Sequence, residues 1–238
     1  MDDLDRPDQC PSPTATRPLL GLTVLVVEDS RFACDAMRLL CLRSGARIRR
    51  ADCILSARRH LQVYRPSAVV VDIGLPDGSG LDLISELARA HPRVGALLGT
   101  SGDDGLRERA LAAGADGFLA KPVTQLAVFQ QTLLDHMPAD RQPPGPRKLT
   151  ESTVTPDIVA FRDDMAHAAT LLDDCDRDRT LDYALQFIGG VAKAANDGPL
   201  RRAITETARA RRQGETHLDK LARLSAMVQE RVNREVAI

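Results

Sequence analysis

Short apolar runs alternate with amphipathic stretches through the N-terminal half of the chain. Residues 22–27 (Leu-Thr-Val-Leu-Val-Val), 46–50, 68–71 (Ala-Val-Val-Val), 94–99 and 117–120 each have the length of a strand. A run apolar at every position, as at 68–71, suits a strand covered on both faces of a parallel sheet. Between these runs the apolar residues recur at helical spacing. In the first such stretch Ser30 is placed to cap a helix whose inner face is Phe32, Ala33, Ala36, Met37, Leu40 and Cys41, ending near Gly45. Further helices are expected over 52–64, 81–90, 103–113 (closed by Gly114) and 124–136. Strand–helix alternation of this kind implies an α/β fold, a parallel five-stranded sheet joined by right-handed crossovers.

Past Met137 the pattern changes. Pro138, Pro143, Pro144, Pro146 and Pro156 with Gly145 mark residues 138–156 as an extended linker. No strand signal follows it. Residues 157–175 form one amphipathic stretch and 180–195 a second. A third begins at Pro199, suited to a first helical turn, and a fourth near Glu215. In the second, Leu181, Ala184, Leu185, Ile188, Val191, Ala192 and Ala195 share one face, while Asp182, Gln186, Gly190 and Lys193 fall nearly opposite. Four such helices make an all-α bundle. The organisation expected is a disordered tail (1–20), an α/β domain (21–137), the linker (138–156) and the bundle (157–238).

The balance of 43% hydrophobic and 27% charged residues is that of a globular protein, and with aromatics at 3% its cores must be aliphatic. A formal net charge of −1 gives no global attraction to nucleic acid or to an anionic membrane. No window is long enough to span a bilayer, and the acidic, Pro-rich start lacks the features of a signal peptide, so a cytoplasmic location is expected. Cys10, Cys34, Cys41, Cys53 and Cys175 contain no C-x-x-C pair, and Cys34 and Cys41 lie two helical turns apart as small apolar residues. The basic cluster Arg201, Arg202, Arg209, Arg211 and Arg212 has no interleaved aromatics and shares its domain with many carboxylates, which disfavours DNA.

The candidate chemistry lies where the strands end. Glu28 and Asp29 follow the first, Asp72 the third, Thr100 the fourth and Lys121 the fifth. In a parallel sheet these ends share one edge, where open α/β sheets bind ligands. Three converging carboxylates call for a hard divalent cation such as Mg²⁺. A hydroxyl and an ammonium beside them suit the oxygens of an anion, which points to phosphoryl transfer onto a carboxylate.

Four segments then stand together in order: Val26-Val27-Glu28-Asp29, Val70-Val71-Asp72-Ile73-Gly74-Leu75-Pro76-Asp77-Gly78, Gly99-Thr100-Ser101 and Gly114-Ala115-Asp116-Gly117-Phe118-Leu119-Ala120-Lys121-Pro122. With them, residues 21–137 resemble the flavodoxin-like receiver domain of two-component response regulators. The resemblance implies that Asp72 accepts a phosphoryl group from a sensor histidine kinase or a phosphotransfer protein. Glu28, Asp29, Asp72 and the backbone carbonyl of Gly74 would hold Mg²⁺. Thr100 and Lys121 would contact the phosphoryl oxygens, Thr100 and Phe118 would form the switch, and the Lys121–Pro122 bond would be cis. Such a protein is a phosphoacceptor rather than an enzyme acting on a separate substrate.

Two readings of the bundle stand side by side. One is a module for self-association or effector docking. In the other, Gln186-Phe187-Ile188-Gly189-Gly190-Val191-Ala192 resembles the H-x-L-K-G-x-A centre of a histidine phosphotransfer domain, with Gln186 in place of the histidine and Gly189 in place of the lysine. A degenerate domain of that kind would keep a docking face (Gln186, Gly190, Lys193) and lose the relay chemistry, since an amide lacks the nucleophilic ring nitrogen. His167 and His217 read as surface residues. The alternative function is a DNA-binding transcriptional regulator using the basic helices.

Overall fold

The computed structural model describes residues 12–145, 151–174, 178–214, 216 and 218–234. Cys10, Pro146, Cys175, Glu215 and His217 lie outside the described residues. Strands β1 (Thr23–Val27), β2 (Arg47–Ala51), β3 (Ala68–Asp72), β6 (Ala96–Ser101) and β7 (Gly117–Ala120) form one parallel sheet in the order β2-β1-β3-β6-β7. The central β3 is buried at every position because helices cover both faces. On one face α1 (Arg31–Ser44) and α5 (Leu126–Leu134) close a core around Val24, Val26, Val70, Leu98 and Phe129. On the other, α2 (Ile54–Val63), α3 (Gly80–Arg89) and α4 (Arg107–Ala112) enclose Leu25, Val69, Val71, Leu97 and Phe118. Cys34 and Cys41 are buried in the first core, where burial pushes both thiols up to about 12, the behaviour of inert packing residues.

Several local features depart from the sequence pattern. The helix expected at 103–113 starts as a 3₁₀ turn (Asp104–Leu106), because the Asp103 carboxylate accepts the Gly105 N–H at 2.9 Å and competes with the α conformation. A two-stranded hairpin, β4 (Gly74–Leu75) with β5 (Gly78–Ser79), follows Asp72. The described part of the expected tail is not free: Leu19 is fully buried, and its N–H bonds to the Ser44 carbonyl at 3.0 Å. Nor is the end of the linker extended away from the domain. Ser152 and Val154 bond to Leu126 and Thr124 through the backbone, and the Val154 side chain completes the α1/α5 core. One apolar residue with a vacant site beside it outweighed the proline signal. The His91–Pro92 and Lys121–Pro122 bonds are cis.

The remaining helices are α6 (Ile158–Asp173), α7 (Asp178–Ala194), α8 (Gly198–Arg212) and α9 (Leu218–Asn233), each packed on the next, with α9 closing against α6. Asp157 caps α6, and Asp197 caps α8 while pairing with Arg231 of α9 at 2.5 Å. Leu181, Ala184, Leu185, Ile188, Val191 and Ala192 of α7 enter the bundle core together with Leu200, Leu224 and Val228. Phe32 of α1 joins the same core, edge-on to Phe161 at 5.7 Å between centroids. Helix α1 of the α/β domain thus serves as part of the bundle's packing surface.

Candidate functional site

The sheet brings the strand-end residues to one edge as the parallel topology requires. Glu28 follows β1, held by its N–H on the Ala51 carbonyl at 2.9 Å. Asp72 closes β3, and Lys121 follows β7 with its N–H on the Ser101 carbonyl. The Lys121 Nζ lies 2.7 Å from Asp72 Oδ2 and 2.8 Å from Glu28 Oε1. Asp72 Oδ1 faces the Gly74 N–H at 3.3 Å. Glu28, Asp72 and Lys121 are only 2%, 6% and 7% exposed, so one ammonium balances buried carboxylates that outnumber it.

The electrostatics follow from that imbalance. Burial pushes the Glu28 carboxyl well above its usual range; Lys121 pulls it back, and Asp72 and Asp29 push it further up. Burial and the neighbouring Asp72 raise Asp29 to about 6. Burial disfavours the Lys121 charge, yet Asp72 and Glu28 outweigh it and hold the ammonium far above its ordinary range. Ligand atoms of Glu28, Asp29 and Asp72 lie within 4.8 Å of one another. Glu28 Oε2 is buried and its partner is the Lys121 ammonium, 2.7 Å away. An all-oxygen set whose carboxylates outnumber its one ammonium fits a hard divalent cation.

The loops that frame the cluster are fixed locally. Asp77 accepts the Ile54 and Leu55 N–H groups at 2.9 Å each, capping α2 and tying down the hairpin after Asp72. A side chain at Gly80 would collide with the Asp72 carbonyl, so only glycine lets α3 start that close to β3.

The bundle covers this edge. Helix α7 lies across a cavity of about 370 Å³ whose walls include Glu28, Asp72, Ser101 and Lys121 on one side and Gln186 and Lys193 on the other. The Gln186 amide sits against Gly74, where any β-carbon would clash with it. The Tyr183 hydroxyl donates to Asp29 Oδ2, and Lys193 Nζ donates to the Gly102 carbonyl at 2.6 Å. From α6, Asp164 caps α1 of the α/β domain. Its carboxylate accepts from Ser30 Oγ at 2.7 Å, Arg31 N at 2.8 Å and Phe32 N at 3.1 Å. A second crevice, lined by Asp29, Arg31, Arg50, His167 and Tyr183, leads to the cluster from the side.

Among the residues singled out from sequence, Glu28, Asp29, Asp72, Gly74 and Lys121 meet in this cleft. Gln186, Gly190 and Lys193 meet them from the opposite wall. Thr100 does not: its hydroxyl turns into the sheet and donates to the Leu119 carbonyl at 2.7 Å, because that buried hydroxyl needs a partner. The hydroxyl-bearing side chains at the cleft are Ser30 and Ser101, and the Ser101 Oγ accepts the Asp103 N–H. Phe118 is buried, with the Arg107 guanidinium 5.2 Å over its ring. His167 is exposed, edge-on to Phe187 at 5.2 Å. Asp164 and Tyr183 were missed from sequence. A carboxylate at an inward helical position was the one available sign of Asp164. Of the basic cluster, Arg211 is engaged by Asp182 at 2.8 Å.

Comparison with known proteins finds likeness over the N-terminal half of the chain. Residues 24–132 match the response regulator receiver domain. The KDP operon transcriptional regulatory protein KdpE of Escherichia coli is 29% identical over 99 residues, 42% of this chain and 44% of that protein. The virulence transcriptional regulatory protein PhoP of Salmonella typhimurium is 30% identical over 103 residues, 42% of this chain and 46% of PhoP. The chain thus spans less than half the length of these relatives, and the likeness is confined to the receiver. Among solved structures, the receiver domain of a sensor histidine kinase from Pseudomonas aeruginosa, with magnesium in its active-site cleft, is 25% identical, with a TM-score of 0.44 over 48% of this chain and 96% of that one. A CheY-like receiver from Methylobacillus flagellatus is 26% identical, with a TM-score of 0.42 over 47% and 98%.

Proposed function

We propose, from the premise that residues 24–132 are a response regulator receiver domain, that the protein is a cytoplasmic two-component response regulator. Asp72 accepts the phosphoryl group, and the helical bundle carries the output through protein contacts. The observation that supports this most directly is the buried Glu28–Asp29–Asp72 cluster with Lys121 Nζ 2.7 Å from Asp72 Oδ2. An Asp72 oxygen attacks the phosphorus of a phosphohistidine on a sensor kinase or phosphotransfer protein. The P–N bond breaks, its electron pair leaves with the imidazole, and an acyl phosphate forms. Lys121 offsets charge on the phosphoryl oxygens. Glu28 and Asp29, directly or through water, with Asp72 and the Gly74 backbone carbonyl would hold Mg²⁺, which would supply further charge compensation. Thr100 reaches the phosphoryl group only after its hydroxyl releases Leu119. That rotation vacates space for Phe118 and shifts the receiver between two states.

The bundle is read as a degenerate histidine phosphotransfer domain. Its α7 face, with Gln186, Gly190 and Lys193, lies against the cleft where a donor helix would have to lie, and Gln186 itself carries no phosphoryl group. The DNA-binding alternative gains little, since the likeness to transcriptional regulators stops at the receiver. Incubation with acetyl phosphate and Mg²⁺ should place one acid-labile phosphoryl group on the full chain and none on Asp72→Asn. Label persisting in Asp72→Asn would refute the assignment.

A further inference from the structure

We infer that the bundle is a cap acting in cis on its own phosphoacceptor, so that closure over the cleft and loading of the site oppose each other. This rests on the reading of Asp72 given above and concerns the regulation of that site. Three contacts carry it, each on a different part of the receiver. Tyr183 donates to Asp29 Oδ2, on one of the three carboxylates that would hold a cation. Lys193 holds the Gly102 carbonyl at 2.6 Å, in the loop that follows the Thr100-bearing strand. Asp164 anchors α6 on the first turn of α1 through Ser30, Arg31 and Phe32. Between them, α7 occupies the mouth of the cavity with Gln186 seated on Gly74.

The occupant is therefore this chain's own α7, in the place that a histidine-bearing helix must take to reach Asp72. A protein donor cannot dock until α7 leaves. A cation can enter by the side crevice, but at Asp29 it competes with the Tyr183 hydroxyl for the charge of the same carboxylate. By linkage, a cation or phosphoryl group that binds the open state more tightly drives the bundle off by the same factor. Release exposes the α7 face, which then becomes available to an output partner. The closed state is the resting state, and phosphorylation opens it.

The test uses the full chain. Calorimetric titration with Mg²⁺ compares the wild type with Tyr183→Phe and Lys193→Ala, which lie outside the acidic cluster and keep the helix. Small-angle X-ray scattering follows compactness before and after incubation with acetyl phosphate and Mg²⁺. Each variant should bind Mg²⁺ more tightly, Tyr183→Phe by about tenfold, as expected for one lost hydrogen bond to a carboxylate. The wild type should expand once Asp72 is labelled, and Asp72→Asn should not. Unchanged Mg²⁺ affinity in both variants, or a labelled wild type that stays as compact as before, would overturn the cap. Absence of label on every variant would instead remove Asp72 as acceptor, and the Mg²⁺ affinities would still judge the cap by themselves.

Discussion

Asp164→Ala tests the anchorage between the two parts of the chain most directly. Asp164 and Ser30 are 134 residues apart in sequence, yet the buried carboxylate accepts three hydrogen bonds from the start of α1, the shortest at 2.7 Å. Hydrogen bonds to a charged acceptor contribute about 1.5–3 kcal/mol each, so three give roughly 6 kcal/mol before costs. Burying a carboxylate costs several kcal/mol, which fits the upward shift of the Asp164 carboxyl by burial. About 3 kcal/mol remains for docking, equivalent to roughly 150-fold in the ratio of closed to open forms. The first-turn N–H groups of α1 regain water when the bundle leaves, so no orphaned-donor penalty enlarges the figure. Amide hydrogen exchange on the full chain reads this ratio at sites remote from the mutation, such as residues 101–105 beneath Lys193. Protection there should fall up to about 150-fold in Asp164→Ala. The neighbouring Asp163→Ala serves as control: its pair with Arg31 is 65% and 44% exposed and should contribute less than about 0.5 kcal/mol. Equal protection in both variants, with helix content retained, would refute the anchoring role.

Three other outcomes follow from the same geometry. Lys121→Ala removes the one ammonium among the clustered carboxylates and should cost about 3–5 kcal/mol in metal-free thermal unfolding, with much of the loss restored by Mg²⁺; a midpoint indifferent to Mg²⁺ would place the cation elsewhere. Asp29 has its carboxyl raised to about 6 in the fold, so its stabilising contribution is complete below its ordinary value near 4 and is lost as pH rises through about 6. The metal-free wild type should therefore lose stability relative to Asp29→Asn between about pH 4 and 7, in paired thermal melts, and parallel profiles would contradict the raised value. Thr100→Val keeps the volume but has no hydroxyl to move from Leu119 to a phosphoryl oxygen. It should still accept label from acetyl phosphate while losing any phosphorylation-linked change in amide exchange over residues 117–120, and a change surviving in the variant would free the switch from Thr100.

The sequence by itself determined the receiver sheet and the convergence on its edge. Apolar runs with a carboxylate or lysine at the end leave a parallel strand little choice, since the run must be buried and its charged end must reach the rim. Helix existence in the C-terminal part was equally legible, because a stripe such as Leu181 to Ala192 has one way to be buried. What the pattern could not carry was anything decided by a partner distant in the chain. Val154 looked like linker until the α1/α5 core offered it a place, and Leu19 looked like tail for the same reason. The orientation of the Thr100 hydroxyl depends on a carbonyl of the neighbouring strand, and local sequence holds no trace of that choice. Gln186, Gly190 and Lys193 could be put on one helix face from their spacing, but spacing cannot say what that face meets. The tertiary structure decided it. Asp164 binds the start of α1, Tyr183 binds Asp29 and Lys193 binds Gly102, so three polar contacts of long sequence separation set α7 over Asp72. Such contacts are individually short-ranged and specific to geometry, which is why they appear only once both packed units are in place.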